Sequence, residues 1–223
     1  MIVSESYLEI LKDGAKSMVN GIKHSINIYD PKSIINFLEI MVNAYYENKK
    51  IVVSGEGNSG SVGEIFVRRC THLKYSIWFL KDASCPAIKS KDIAIFISGT
   101  GITSGVLNQA KIARQQLDAT VILITSKKRE QNSPDDIDSI QNYADLVIEI
   151  GGKTKEQKIQ QYKDFGSRQI AGDFSKPYEI TKGVLVLGTQ FEINAFVFLL
   201  SLTHALMDLL NKTEDSLKHK NIE

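Results

Sequence analysis

The chain has only two cysteines in 223 residues, Cys70 and Cys85. Two cysteines make no disulfide framework, and with the four histidines they form no metal-ligand spacing, so no metal is expected and both read as reduced thiols. Net charge is equally scarce. Lysine plus arginine number 27 against 26 aspartate plus glutamate, which leaves no basic field to recruit nucleic acid or an acidic membrane surface. A small neutral or anionic ligand fits better than a polyanion. No apolar run reaches the ~20 residues of a bilayer span. The richest stretch, residues 193–207, contains Asn194, Ser201, Thr203 and His204 and is flanked by Glu192 and Asp208. It is expected to be a buried helix. Because residues 195–200 are apolar on every face, that helix should pack between the sheet and another helix or subunit. A homo-oligomer, dimer or tetramer, is the expectation. The first dozen residues carry Glu5 and Glu9 where a leader peptide needs a positive start and an apolar stretch, so a cytoplasmic location is expected. Internal repeats and low-complexity tracts are also missing.

What is present suits a single domain over residues 1–223. Residues 4–20 show helical spacing through Tyr7, Leu8, Leu11, Ala15 and Met18, and Asp30-Pro31 reads as an N-cap with proline at the first helical position. These N-terminal helices should occupy residues 1–48. Between residues 49 and 150 the period changes to short apolar runs at 51–53, 76–79, 93–97, 121–124 and 146–150. Runs rather than alternations suit strands of a parallel sheet covered on both faces. Helical patterns at 60–73 and 103–117 separate strands, which predicts a doubly wound five-stranded α/β domain. A strand order of 2-1-3-4-5 would place a topological switch between the first and third strands. A polar segment, 151–183, reads as a lid, binding loop or oligomer contact. A C-terminal helix is expected within 184–212, followed by a charged tail.

Two loops of small residues carry the chemistry: Ser54-Gly55-Glu56-Gly57-Asn58-Ser59-Gly60 after the first strand, and Ser98-Gly99-Thr100-Gly101-Ile102-Thr103-Ser104 after the third. Glycines let the backbone turn N–H groups toward a ligand, hydroxyls add donors, and the following helix presents its positive end. A phosphate is the expected occupant. The bland alternative is a pair of ordinary turns. A dinucleotide reading also fits the first loop, formally Gly55-x-Gly57-x-x-Gly60, with Asp82 placed for a ribose. That reading assigns no role to the second loop.

On these motifs the chain resembles the sugar isomerase (SIS) domain family, whose first motif has the form Gly-x-Gly-x-Ser-Gly and whose second has the form Ser-Gly-Ser-Gly-x-Thr. The two leading helices and the ending Leu187-Gly188-Thr189-Gln190-Phe191-Glu192 look most like its 6-phospho-3-hexuloisomerase branch. The resemblance implies a flavodoxin-like sheet, no cofactor, and a sugar-phosphate substrate. It further implies that Gly57, Asn58, Ser59, Ser98, Gly99, Thr100 and Thr103 line the phosphosugar site, that Glu192 is the catalytic base and that His72 assists. Each role has a plainer rival. Thr189-x-x-Glu192 is also a capping box, and His72 also reads as an ordinary helix residue. Two departures from the branch are Asn58, where it usually has arginine, and Ile102, where it usually has glutamate. These keep a non-catalytic phosphosugar sensor in play, with a nicotinamide-dependent oxidoreductase as a third reading. A DNA-binding regulator lacks the basic recognition stripe it would need.

Overall fold

A computed structural model describes residues 5–128, 137–152 and 189–213. Most of the 151–183 segment, together with Leu187, Gly188 and the end of the charged tail, lies outside the described residues. Helix α1 (Glu5–Asn27) runs well past residue 20. Nothing between 20 and 27 breaks a helix, and the stop comes at Asp30-Pro31, where the residue before a proline is driven out of the α conformation. Asp30 is extended (φ −79°, ψ 112°) and accepts from the Ser33 N–H at 3.1 Å and the Ser33 hydroxyl at 2.5 Å. Those bonds hold its carboxyl below the ordinary value. With Pro31 in the first turn, this cap starts α2 (Pro31–Tyr46) as the sequence predicts.

Five parallel strands follow: β1 (Ile51–Gly55), β2 (Ile77–Phe79), β3 (Ile93–Ile97), β4 (Thr120–Thr125) and β5 (Leu146–Glu149). Their order is β2-β1-β3-β4-β5. Every residue of β1 and β3 is buried, so their side chains alternate between two cores at period two. Val53, Ile95, Ile97 and Ile124 face α2 and helix α3 (Asn58–His72). Ala94, Phe96, Val121 and Leu123 face helix α4 (Ser104–Lys111). The single helix expected over 103–117 instead widens into a π-helical turn at Ile112–Gln116, whose end is tied down by the Ala119 N–H to the Ala113 carbonyl at 2.9 Å. Since α3 leaves β1 for one face and α4 leaves β3 for the other, a crevice opens between their first turns, at the topological switch.

The last helix, α5 (Thr189–Leu209), packs against α1, α2 and α3. Phe198 meets Tyr29 edge-on at 5.4 Å and Phe37 in a stacked contact at 6.3 Å. Its segment Gln190–Leu209 is long and apolar enough to cross a bilayer by length and composition. Its inner face nevertheless belongs to the core cluster of the sheet, and its outer face carries Ser201, His204 and Asp208. That is the placement of a core helix.

Near the head of α5, buried Asn194 donates to the Ile150 carbonyl at 3.1 Å and accepts from Gln190 at 2.8 Å. The same carbonyl accepts from the Ser25 hydroxyl at 2.5 Å. One acceptor thus joins α1, the end of β5 and α5. Asn194→Ala or Ser25→Ala should each cost about 1 kcal/mol in urea unfolding, since one donor still serves the carbonyl. The double variant should cost more than the sum, because it strands a buried acceptor.

Candidate functional site

Gly55 pairs with Ile97 across the β1–β3 ladder, so the two small-residue loops leave adjacent strands at the same level. Gly57 is the N-cap of α3 with φ +57° and ψ −133°, a conformation open to glycine, and that position offers no capping side chain. Asn58 and Ser59 form the first turn of α3, the former exposed and the latter buried. Gly60 sits so close to the Gly55 carbonyl that a Cβ would lie 2.8 Å from its oxygen. The loop is closed by its own backbone.

The second loop turns its hydroxyls inward. Ser98, 3 % exposed, accepts from the Gly101 N–H at 3.1 Å and lies 3.3 Å from the Thr103 hydroxyl. Thr100 accepts from the Ile102 N–H at 3.3 Å. Thr103 is the N-cap of α4 yet makes no side-chain capping bond. With its hydroxyl beside Ser98, the Thr103 side chain does not cap the first-turn N–H groups of α4, which have no partner within their own helix. Two helix heads and the hydroxyls of Ser98, Thr100 and Thr103 therefore stand at the same end of adjacent strands, an arrangement suited to an oxyanion.

Residues outside the predicted set hold this loop in place. The Gly99 carbonyl accepts from the Ser126 N–H at 3.2 Å, the Ser126 hydroxyl at 2.7 Å and the Thr125 hydroxyl at 3.1 Å. The Gly101 carbonyl accepts from the Ile140 N–H at 2.8 Å. Ser54 donates to the Gln109 side chain at 2.6 Å, linking the end of β1 to α4. A hydroxyl pair at the end of an apolar strand, Thr125-Ser126, was the available sequence signal. Its partner was not legible.

The head of α5 closes one side. Phe191 packs so tightly on Gly99 that a Cβ there would lie 3.0 Å from the ring, and a Cβ on Gly152 would come 2.7 Å from the Phe191 Cα. Glu192 follows in the first turn of α5, half-buried, with Oε2 withdrawn from solvent. The capping-box partner Thr189 is the first helical residue, and its side chain lies outside the described residues.

His72 is placed elsewhere. It ends α3, exposed, and a rise of 1.5 Å per residue sets it ~21 Å from Asn58 at the other end of the helix. Within one chain it does not join the loops. The thiols are also remote from nucleophilic chemistry, since burial pushes both Cys70 and Cys85 above the ordinary thiol range. Among the described residues no group of three His, Cys, Asp or Glu is arranged to hold a metal ion.

The family model described as SIS domain matches residues 44–158. The chain belongs to the SIS domain family. An uncharacterised relative from Aeropyrum pernix is 32% identical, over 90% of this chain and 86% of its own. A relative from Methanocaldococcus jannaschii named 3-hexulose-6-phosphate isomerase is 27% identical over 84% of each chain. A crystal structure from Methanococcus jannaschii, of a protein inferred to be a 3-hexulose-6-phosphate isomerase, superposes with a TM-score of 0.67 at 24% identity. It covers 94% of this chain and 97% of its own, and at that identity it speaks for the fold. Within the SIS family, the chain thus sits with the hexuloisomerase branch.

Gly99→Val tests the seam between loop and helix. It should push Phe191 away and lower stability by about 1–3 kcal/mol in thermal unfolding. Ser126→Ala, which removes one of three donors to Gly99, should cost less than half as much.

Proposed function

We propose that the protein isomerises a sugar phosphate by moving its carbonyl one carbon along the chain, with 3-hexulose 6-phosphate and fructose 6-phosphate as the leading pair. The observation that supports this reading is that Phe191, the residue before Glu192, seats the head of α5 on Gly99 of the second loop, which also carries the hydroxyls of Ser98, Thr100 and Thr103. The phosphate is taken by those hydroxyls and the α4 head, and Gly57, Asn58 and Ser59 face the sugar. The Glu192 carboxylate removes the proton from C2, the carbon that bears a hydroxyl next to the C3 ketone. The electron pair forms the C2–C3 double bond of an enediolate, and the proton returns to C3. Meanwhile O2 loses a proton and O3 gains one, a transfer suited to the imidazole of His72. The distance of His72 from its own loops makes that role one for a neighbouring copy of the chain. Proton transfers of this kind require no metal or cofactor. All of these groups belong to a cytoplasmic homo-oligomer in this reading.

Asn58 and Ile102 favour one further reading, a phosphosugar sensor that binds without turnover. Asn58 is exposed at the α3 head and supplies no charge to an anion. Loss of an arginine there weakens charge-assisted contact.

Turnover on a panel of phosphorylated pentoses, hexoses and heptoses separates the two. Glu192→Gln should lower kcat by about 10²-fold to 10⁴-fold with little change in KM, because glutamine can cap a helix but not accept a carbon-bound proton. Undiminished turnover in that variant would remove Glu192 from the chemistry. Mixing inactive Glu192→Gln with inactive His72→Ala should restore part of the activity if His72 serves a neighbouring subunit.

A further inference from the structure

One side chain at the crevice has no place in the scheme above. Glu56, exposed on the first loop, reaches across the switch to the first turn of α4. A Cβ on Gly105 would collide with its Oε1, and would lie 3.3 Å from its Cδ and 3.9 Å from its Oε2. A helical Cβ tilts toward the helix N-terminus. A carboxylate in that place therefore lies beside the head of α4, and it fits because residue 105 has no side chain. Among the described residues Glu56 enters no ion pair, so no cation cancels its charge. The helix head that is read as the phosphate seat already faces an anion from its own chain.

We propose that Glu56 is a specificity-determining residue, which disfavours free inorganic phosphate at the α4 head and admits phosphate attached to a polyhydroxylated carbon chain. The proposal rests on the phosphosugar reading above. Two anions at one helix head repel, and with solvent nearby the repulsion is modest rather than prohibitive. Inorganic phosphate meets that repulsion with nothing to offset it. A sugar phosphate carries hydroxyl donors several ångströms from its charge, and an ionised carboxylate is purely an acceptor. Hydroxyl-to-carboxylate bonds of this charge-assisted kind then compensate the repulsion. Glu56 thereby separates substrate from a common metabolic anion that shares its phosphate.

Calorimetric titration of the unaltered protein and of Glu56→Gln with inorganic phosphate and with fructose 6-phosphate tests this. Glu56→Gln should bind inorganic phosphate about threefold to tenfold tighter, from the loss of one repelling charge, while fructose 6-phosphate gains less or weakens. The ratio of the two affinities falls. Glu56→Ala, a second variant with the same charge change, should also tighten inorganic phosphate. Unchanged or weaker phosphate binding in both variants, with fructose 6-phosphate still preferred by the unaltered protein, overturns the role of Glu56 alone. If the unaltered protein binds fructose 6-phosphate no better than inorganic phosphate, the phosphosugar reading fails, and the proposal with it.

Discussion

The contact between the Phe191 ring and the bare backbone of Gly99 is the constraint on which the site depends. It brings the first turn of a C-terminal helix onto a loop that follows the third strand, across some ninety residues of chain. With a side chain at 99 the ring would be displaced, and Glu192 would move with it. The approach is fixed from behind by the Ile150 carbonyl, which Ser25 and Asn194 share. It is fixed from below by the three donors on the Gly99 carbonyl. Polar groups satisfied in this way hold a loop rigid.

The same loops show how strand order becomes chemistry. Neither N-cap residue, Gly57 of α3 nor Thr103 of α4, caps its helix with a side chain, although most helices fill that place with a capping Ser, Thr, Asp or Asn. At α4 the capping residue is Thr103, with its hydroxyl beside Ser98 instead. Uncapped heads on opposite sheet faces converge where the order reverses, so the backbone itself supplies the positive field. The Glu56 carboxylate lies over Gly105 at the head of α4.

Much of this was legible in the residues. The apolar runs located all five strands within a residue or two, because strands buried on both faces leave no room for polar alternation. Asp30-Pro31 announced the start of α2, since a cap and a fixed φ act locally. The two loops announced themselves as well. Less was legible where partners are distant in sequence. Thr125 and Ser126 are unremarked hydroxyls until β4 is laid beside β3. The π-helical turn at Ile112 depends on local hydrogen bonding, on which side-chain periodicity is silent.

By itself the sequence determined most of the elements and the two anion-directed loops, because helix caps, apolar period and glycine backbone freedom are local properties; the strand order, a matter of long-range pairing, came from the structure. Tertiary structure decided which of the candidates meet. It set Phe191 on Gly99, turned Glu56 onto Gly105 and placed His72 at the far end of α3. Such neighbours come from the path of the chain around the sheet, where close approach rests on what a residue lacks as much as on what it carries. Gly99 and Gly105 carry no side chain. The opening chemistry of the two loops thus becomes a site through empty space at two glycines.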